Sequence, residues 1–153
     1  MKPLNFVWPV VNPVIARALL ILPPAGAYDP APIEIAIAGV EFVTLCFQYE
    51  QGAANGAVSF YIEVSPYAAN QGVYANWYRI ALYAPGVLAA GVDTASNVQR
   101  ERITYGSIAA AGVQTFVYGP IELDGALERI RVVCAESGVV GTPGVCGIIA
   151  VFA

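Results

Sequence analysis

Apolar and polar residues alternate along most of this chain with the two-residue period of a β-strand, and no stretch holds a helical period of 3.6 residues. The clearest case is GAANGAVSFYIEVSPY (52–67), where Val58, Phe60, Ile62 and Val64 fall on one side and Ser59, Tyr61 and Glu63 on the other. VEFVTLCFQY (40–49) behaves alike: Val43, Leu45, Phe47 and Tyr49 share one face, Phe42, Thr44, Cys46 and Gln48 its reverse. Asn55-Gly56 lies between them, a pair that accepts positive φ and suits a hairpin turn.

IEIAI (33–37), NWYRIALY (76–83), VQRERITY (98–105), QTFVYGPIEL (114–123), LERIRVVCA (127–135) and CGIIAVF (146–152) add further predicted strands. In NWYRIALY the core face is Tyr78, Ile80 and Leu82, with Trp77, Arg79 and Tyr83 opposite. In LERIRVVCA, Ile130, Val132 and Cys134 point inward and Arg129 and Arg131 outward. Asp124-Gly125 marks a second turn. CGIIAVF is apolar on both faces, as a strand covered twice, or covered once by a subunit interface, would be. Segments 84–97 and 106–113, rich in Ala and Gly, read as loops.

Residues 1–32 differ. Seven of the chain's eleven prolines fall there, which rules out one long helix or a central strand throughout. The segment reads as an extended arm before a domain over 33–153. Within it VIARALLIL (14–22) is long enough for a strand or for two helical turns, and periodicity does not choose. Lys2, the apolar run and AGA (25–27) imitate a secretory signal, but Pro9, Pro13 and Arg17 interrupt the apolar part, so an uncleaved arm on an intracellularly made chain is expected. The same breaks, with Asn12, argue against a membrane span. Eight or nine short strands then predict an all-β fold, an antiparallel β-sandwich of jelly-roll type carrying an extended Pro-rich N-terminal arm.

Composition changes the picture by showing an excess. Charged residues make up 12% of the 153 positions and apolar ones 58%, against about 25% charged in an ordinary soluble domain. One small core does not need so much apolar surface, so burial by neighbouring subunits is expected. There is no Asn-x-Ser/Thr sequon to hang a covering glycan on. A net charge of −4 disfavours nucleic acid.

Candidate chemistry is sparse. No histidine is present, which removes the commonest general base and metal ligand. Cys134 and Cys146 read as small buried hydrophobes, with a disulfide across 135–145 as the alternative. Glu63, Glu122, Asp124 and Glu128 do not pair by spacing as a glycosidase would need. GVDTASN (91–97) has one carboxylate, too few for a calcium loop. Arg100 with Arg102, and Arg129 with Arg131, can each contact phosphate, but neighbouring Glu101 and Glu128 favour intersubunit ion pairs or solvation. Tyr67, Tyr74, Trp77, Tyr78 and Tyr83 cluster, and such aromatics with arginine anchor interfaces or stack on sugars. The candidate assembly contacts are therefore Phe6, Trp8, Val10 and Val14 in the arm, with Trp77, Arg79, Tyr83, Arg129 and Arg131 in the domain.

GAANGAVSFYIEVSPY, NWYRIALY, TFVYGPIELDGALERIRVVCAESG and GTPGVCGIIAVF together resemble the jelly-roll structural proteins of tailed phages, including minor capsid and decoration (cement) proteins. The resemblance implies a virion protein, made in the host cytoplasm; for want of a general base no enzyme is expected, and no cofactor or metal. It would contact copies of itself, as a trimer for instance, and the major capsid or other virion proteins. IELDGALERIRV also looks like the closing strands of carbohydrate-binding sandwich modules. A subunit of an extracellular filament linked by donor-strand exchange is the third expectation.

Overall fold

A computed structural model describes residues 13–52, 56–68, 75–83, 99–100, 102–105, 112–137 and 142–153. Among them are eleven strands, one 3₁₀ turn at Pro24–Gly26 and no α-helix. The strands are β1 (Val14–Ile21), β2 (Ile35–Ala36), β3 (Phe42–Glu50), β4 (Ala57–Ser65), β5 (Tyr78–Arg79), β6 (Leu82–Tyr83), β7 (Gln99–Arg100), β8 (Ile103–Tyr105), β9 (Val113–Glu122), β10 (Arg129–Ser137) and β11 (Val145–Phe152).

Two antiparallel sheets pack face to face. Sheet A has the order β1-β11-β3-β9, and sheet B the order β2-β10-β4-β5 with β8 also on β4. β6 and β7 form a separate ribbon. Between the sheets lie the inward residues that alternation picks out: Val43, Leu45, Phe47 and Tyr49 of β3 against Val58, Phe60, Ile62 and Val64 of β4, all buried. The rings of Phe47 and Phe60 meet across the gap, 4.7 Å between centroids.

That contact explains why the expected β3–β4 hairpin does not form. Each strand needs its apolar face opposite an apolar face, and this requires β3 and β4 to stand in different sheets instead of side by side. β3 pairs with β11 and β9, β4 with β10, β5 and β8. Gly52, on the connection, lies so close to the backbone of Thr142 and Pro143 that a Cβ would not fit. Asn55 lies outside the described residues. The Asp124-Gly125 turn is present, with Asp124 Oδ1 accepting from the Ala126 N–H at 2.9 Å, but it too carries the chain from one sheet to the other.

The ambiguous segment 14–22 is resolved as a strand because β11 offers it an edge. Val14 pairs with Ala150 and Ile21 with Val145, with irregular register on either side of Arg17. Ala16 and Leu22 enter the core. The described part of the expected arm, residues 13–32, thus runs along the body of its own chain. The irregularity aims Arg17 at the side of the sandwich. There its guanidinium donates to both carboxylate oxygens of Asp29, each at 2.9 Å, and to the Cys146 carbonyl. Since the Asp29 N–H donates to the Cys134 carbonyl of β10, this ion pair ties β1 of sheet A to β10 of sheet B.

Several expected strands are shorter than their patterns. NWYRIALY yields the separate pairs β5 and β6, and VQRERITY yields β7 and β8. Ile80 and Leu82 still meet the core, whereas Tyr78, beside Val64 at the rim, is exposed.

Candidate functional site

The outer faces of the two sheets are dressed in opposite ways. On sheet B the outward residues, mostly polar but with Val133 and Ala135 among them, are largely covered. Trp77 lies over both predicted outward arginines, with Arg131 Cζ 4.1 Å and Arg129 Cζ 4.7 Å from its ring centroid. Arg129 donates to Glu34 at 2.7 Å and to the Tyr67 carbonyl at 2.6 Å, and Arg131 donates to Glu63 at 2.6 Å. Arg79 stacks on Tyr61, whose ring also meets that of Tyr28. The Ser59 and Thr104 hydroxyls are 2.8 Å apart. Arg129, Arg131, Arg79 and Trp77 are therefore engaged within the chain, which replaces the expected solvation or intersubunit pairing of the two strand arginines. The signal that sequence reading lacked is long-range: Trp77 meets the two arginines from a segment some fifty residues earlier.

Sheet A is bare. Strand register lines up Ile15, Ile149, Cys46 and Val117 as one row across all four strands. Ile15 and Val117 are each 59% exposed and Ile149 is 44% exposed. Val151, Phe42, Leu19 and Val113 extend the exposed apolar surface. Next to this row Gly147 pairs with Gln48, which pairs with Thr115. Because Gly147 has no side chain, Leu19 leans over it and a concavity of about 480 Å³ opens, lined by Ile15, Leu19, Cys46, Phe116, Val117 and Ile149 among others. Phe116 forms part of its floor, stacked on core residue Phe47 at 4.6 Å. Four strands at about 4.8 Å spacing and eight residues at about 3.3 Å rise give this face roughly 500 Å². Thr44, Gln48 and Thr115 share the face, so its apolar part falls within the range of patches that monomers leave uncovered, about 300–600 Å².

The other sequence candidates are dispersed. Phe6, Trp8 and Val10 lie outside the described residues, as does GVDTASN. Val14 is half-buried against the core. For Tyr83 the backbone position in β6 is described, without its side chain. Arg102 donates to the Tyr28 hydroxyl at 3.1 Å. Glu63 is taken up by Arg131, Asp124 caps its turn, and Glu122 is exposed.

All three cysteines are free. Cys134 and Cys146 do not pair; they project into the core from strands of opposite sheets, and burial pushes the Cys146 thiol up to about 12 and Cys134 well above its ordinary value. Such thiols are poor nucleophiles. One buried carboxylate escaped sequence reading. Glu136 continues the inward row of β10, where it accepts from the Tyr49 hydroxyl and the Gly144 N–H, both at 2.6 Å. Burial, then this hydrogen bond, holds the Tyr49 hydroxyl well above its usual range. With both oxygens satisfied, the pair closes one end of the sandwich. Among the described residues no group of three or more His, Cys, Asp or Glu side chains is placed to hold a metal ion, and no helix is long and apolar enough to cross a membrane.

Compared with known protein families, curated proteins and solved structures, the chain matches none.

Proposed function

We propose that this protein is a non-catalytic structural subunit of jelly-roll type, built into a virion shell as a decoration or minor capsid protein and acting through the outer face of sheet A. The observation that carries this reading is the uncovered apolar row Ile15–Ile149–Cys46–Val117. A chain that brings aromatic and charged side chains over its polar sheet and leaves its apolar sheet open has a surface suited to another protein. The strand order supports the jelly-roll assignment. β1, β3, β9 and β11 go to one sheet and β2, β4 and β10 to the other, so the chain alternates between sheets from β1 to β4 and again from β9 to β11, as two interleaved Greek keys do. The tailed-phage character rests on the resemblance of the quoted segments. Function is then adhesive: copies of the chain and the shell protein beneath them exclude water from sheet A.

Two such faces pressed together would remove on the order of 1,000 Å² from water, about the threshold for a specific protein interface. The test is solution mass measured over a wide concentration range, for the full chain and for a chain carrying Val117→Asp and Ile149→Asp. The native chain is expected to form species well above its 16.1 kDa. The double variant should fold normally and stay monomeric. A native chain that remains a 16.1 kDa species at high concentration overturns the proposal.

A further inference from the structure

The assembly reading leaves open what sits in the concavity of sheet A, and a flat partner would leave that space unfilled. We infer that it receives the N-terminal segment of a second copy of this chain, with Phe6 and Trp8 as the inserted anchors. The inference rests on the assembly reading and names the occupant of its surface.

Three observations converge on this segment. First, residues 1–12 read MKPLNFVWPVVN, in which Leu4, Phe6, Trp8 and Val10 recur at every second position. In extended chain these four project to one side, about 6.6 Å apart. The segment carries a single charged side chain, Lys2, outside that row. The concavity is similarly uncharged apart from Arg17, whose guanidinium is held by Asp29. Second, a volume of about 480 Å³ falls among those that hold small organic ligands, roughly 300–1,000 Å³, and two aromatic side chains together are smaller than a drug-sized ligand. Third, the prolines at 3, 9 and 13 bias the residues before them toward extended conformation. Val14 is already paired to Ala150 on β11, so residues 1–12 directly precede an edge strand of sheet A. An apolar segment of this sequence, joined to the edge strand beside the concavity, is suited to dock on a sister molecule.

A cysteine already present provides the test. Cys46 sits in the concavity and is partly accessible, whereas Cys134 and Cys146 are buried. Val10→Cys, at the end of the apolar row, should on mild oxidation give covalent dimers and higher species on a non-reducing gel. The yield should be about tenfold above that of Val11→Cys, which faces the other way along an extended chain, and Cys46→Ser should abolish it. Phe6→Ala with Trp8→Ala, leaving the folded domain untouched, should weaken self-association by about 30-fold or more, as loss of interface anchors does. A Val10–Cys46 cross-link confined to single chains overturns the inference, because the segment then covers its own sheet. No cross-link, with native mass still above one chain, also overturns it but leaves the assembly reading standing. A native chain that never associates defeats both.

Discussion

The outer faces of sheets A and B are a study in exchanged roles. Beside Val133 and Ala135, sheet B presents Ser59, Tyr61, Glu63, Arg129 and Arg131, residues that water would accept; the chain brings Trp77 and Tyr28 over them, and Arg79 and Thr104 flank them from neighbouring strands. Sheet A presents Ile15, Leu19, Val117, Ile149 and Val151, which water accepts poorly, and they stay exposed. Covering polar groups requires matched partners, since an unpaired buried charge costs several kcal/mol. Sheet B therefore needs the specific partners that only its own chain, in fixed geometry, supplies. Apolar surface makes no such demand for pairing and can be closed by whatever complementary surface arrives. The contrast separates a face whose cover is part of folding from a face whose cover is part of assembly.

The strongest way to break this contrast is to strip the cover from sheet B. Trp77→Ala removes the ring from both arginines, and the loss of a half-buried aromatic should lower unfolding free energy by about 2–3 kcal/mol. Thermal or urea unfolding measures it. Solution mass should not change, and a variant of normal stability but altered mass would reverse the roles assigned to the two faces.

Alkali probes the interior that both sheets share, to smaller effect per step. Cys134, Cys146 and the Tyr49 hydroxyl all have folded-state values raised above their ordinary ones of 9.0 for the thiols and 10.0 for the phenol, with burial as the largest cause. A raised folded value means that the native state keeps protons which the unfolded chain releases. The contribution is thus fully present below about pH 9 and is lost as pH climbs above it. Each thiol should cost about 1.4 kcal/mol per pH unit between pH 9 and the raised folded value. Urea unfolding at pH 8, 9.5 and 10.5 should show the decline, and Cys146→Ala should flatten it. A flat profile in the native chain would contradict the buried thiols.

The smallest expected effect sharpens what covers sheet B. Arg131 and Glu63 are partly accessible, 23% and 13% exposed, so solvent screens much of their attraction. A double-mutant cycle on Arg131→Ala and Glu63→Ala should give a coupling of about 0.5–1 kcal/mol. A coupling near zero would leave Trp77 as the main cover, and one above about 2 kcal/mol would make the ion pair its principal element.

Inward and outward faces of β3, β4 and β10 were legible from alternation, because the pleat sets the direction of each side chain from its neighbours alone. So was the all-β character, and so was the surplus of apolar residues. Pairing was not legible. Asn55-Gly56 and Asp124-Gly125 suggested local reversals within a sheet, and which sheet a strand joins depends on where its apolar face finds another. Segment 14–22 became a strand only because β11 had a vacant edge. The two arginines point outward as their parity requires, yet the covering Trp77 comes from far along the chain, and nothing in the spacing of Arg129 and Arg131 signals it. The concavity depends on register: Gly147 is an ordinary glycine in the chain and a gap in the surface once Leu19, Gln48 and Cys46 stand around it. Local steric alternation acts over two residues and is written in the chain. Neighbourhoods across strands arise from a global fit of faces, and only the folded molecule has them.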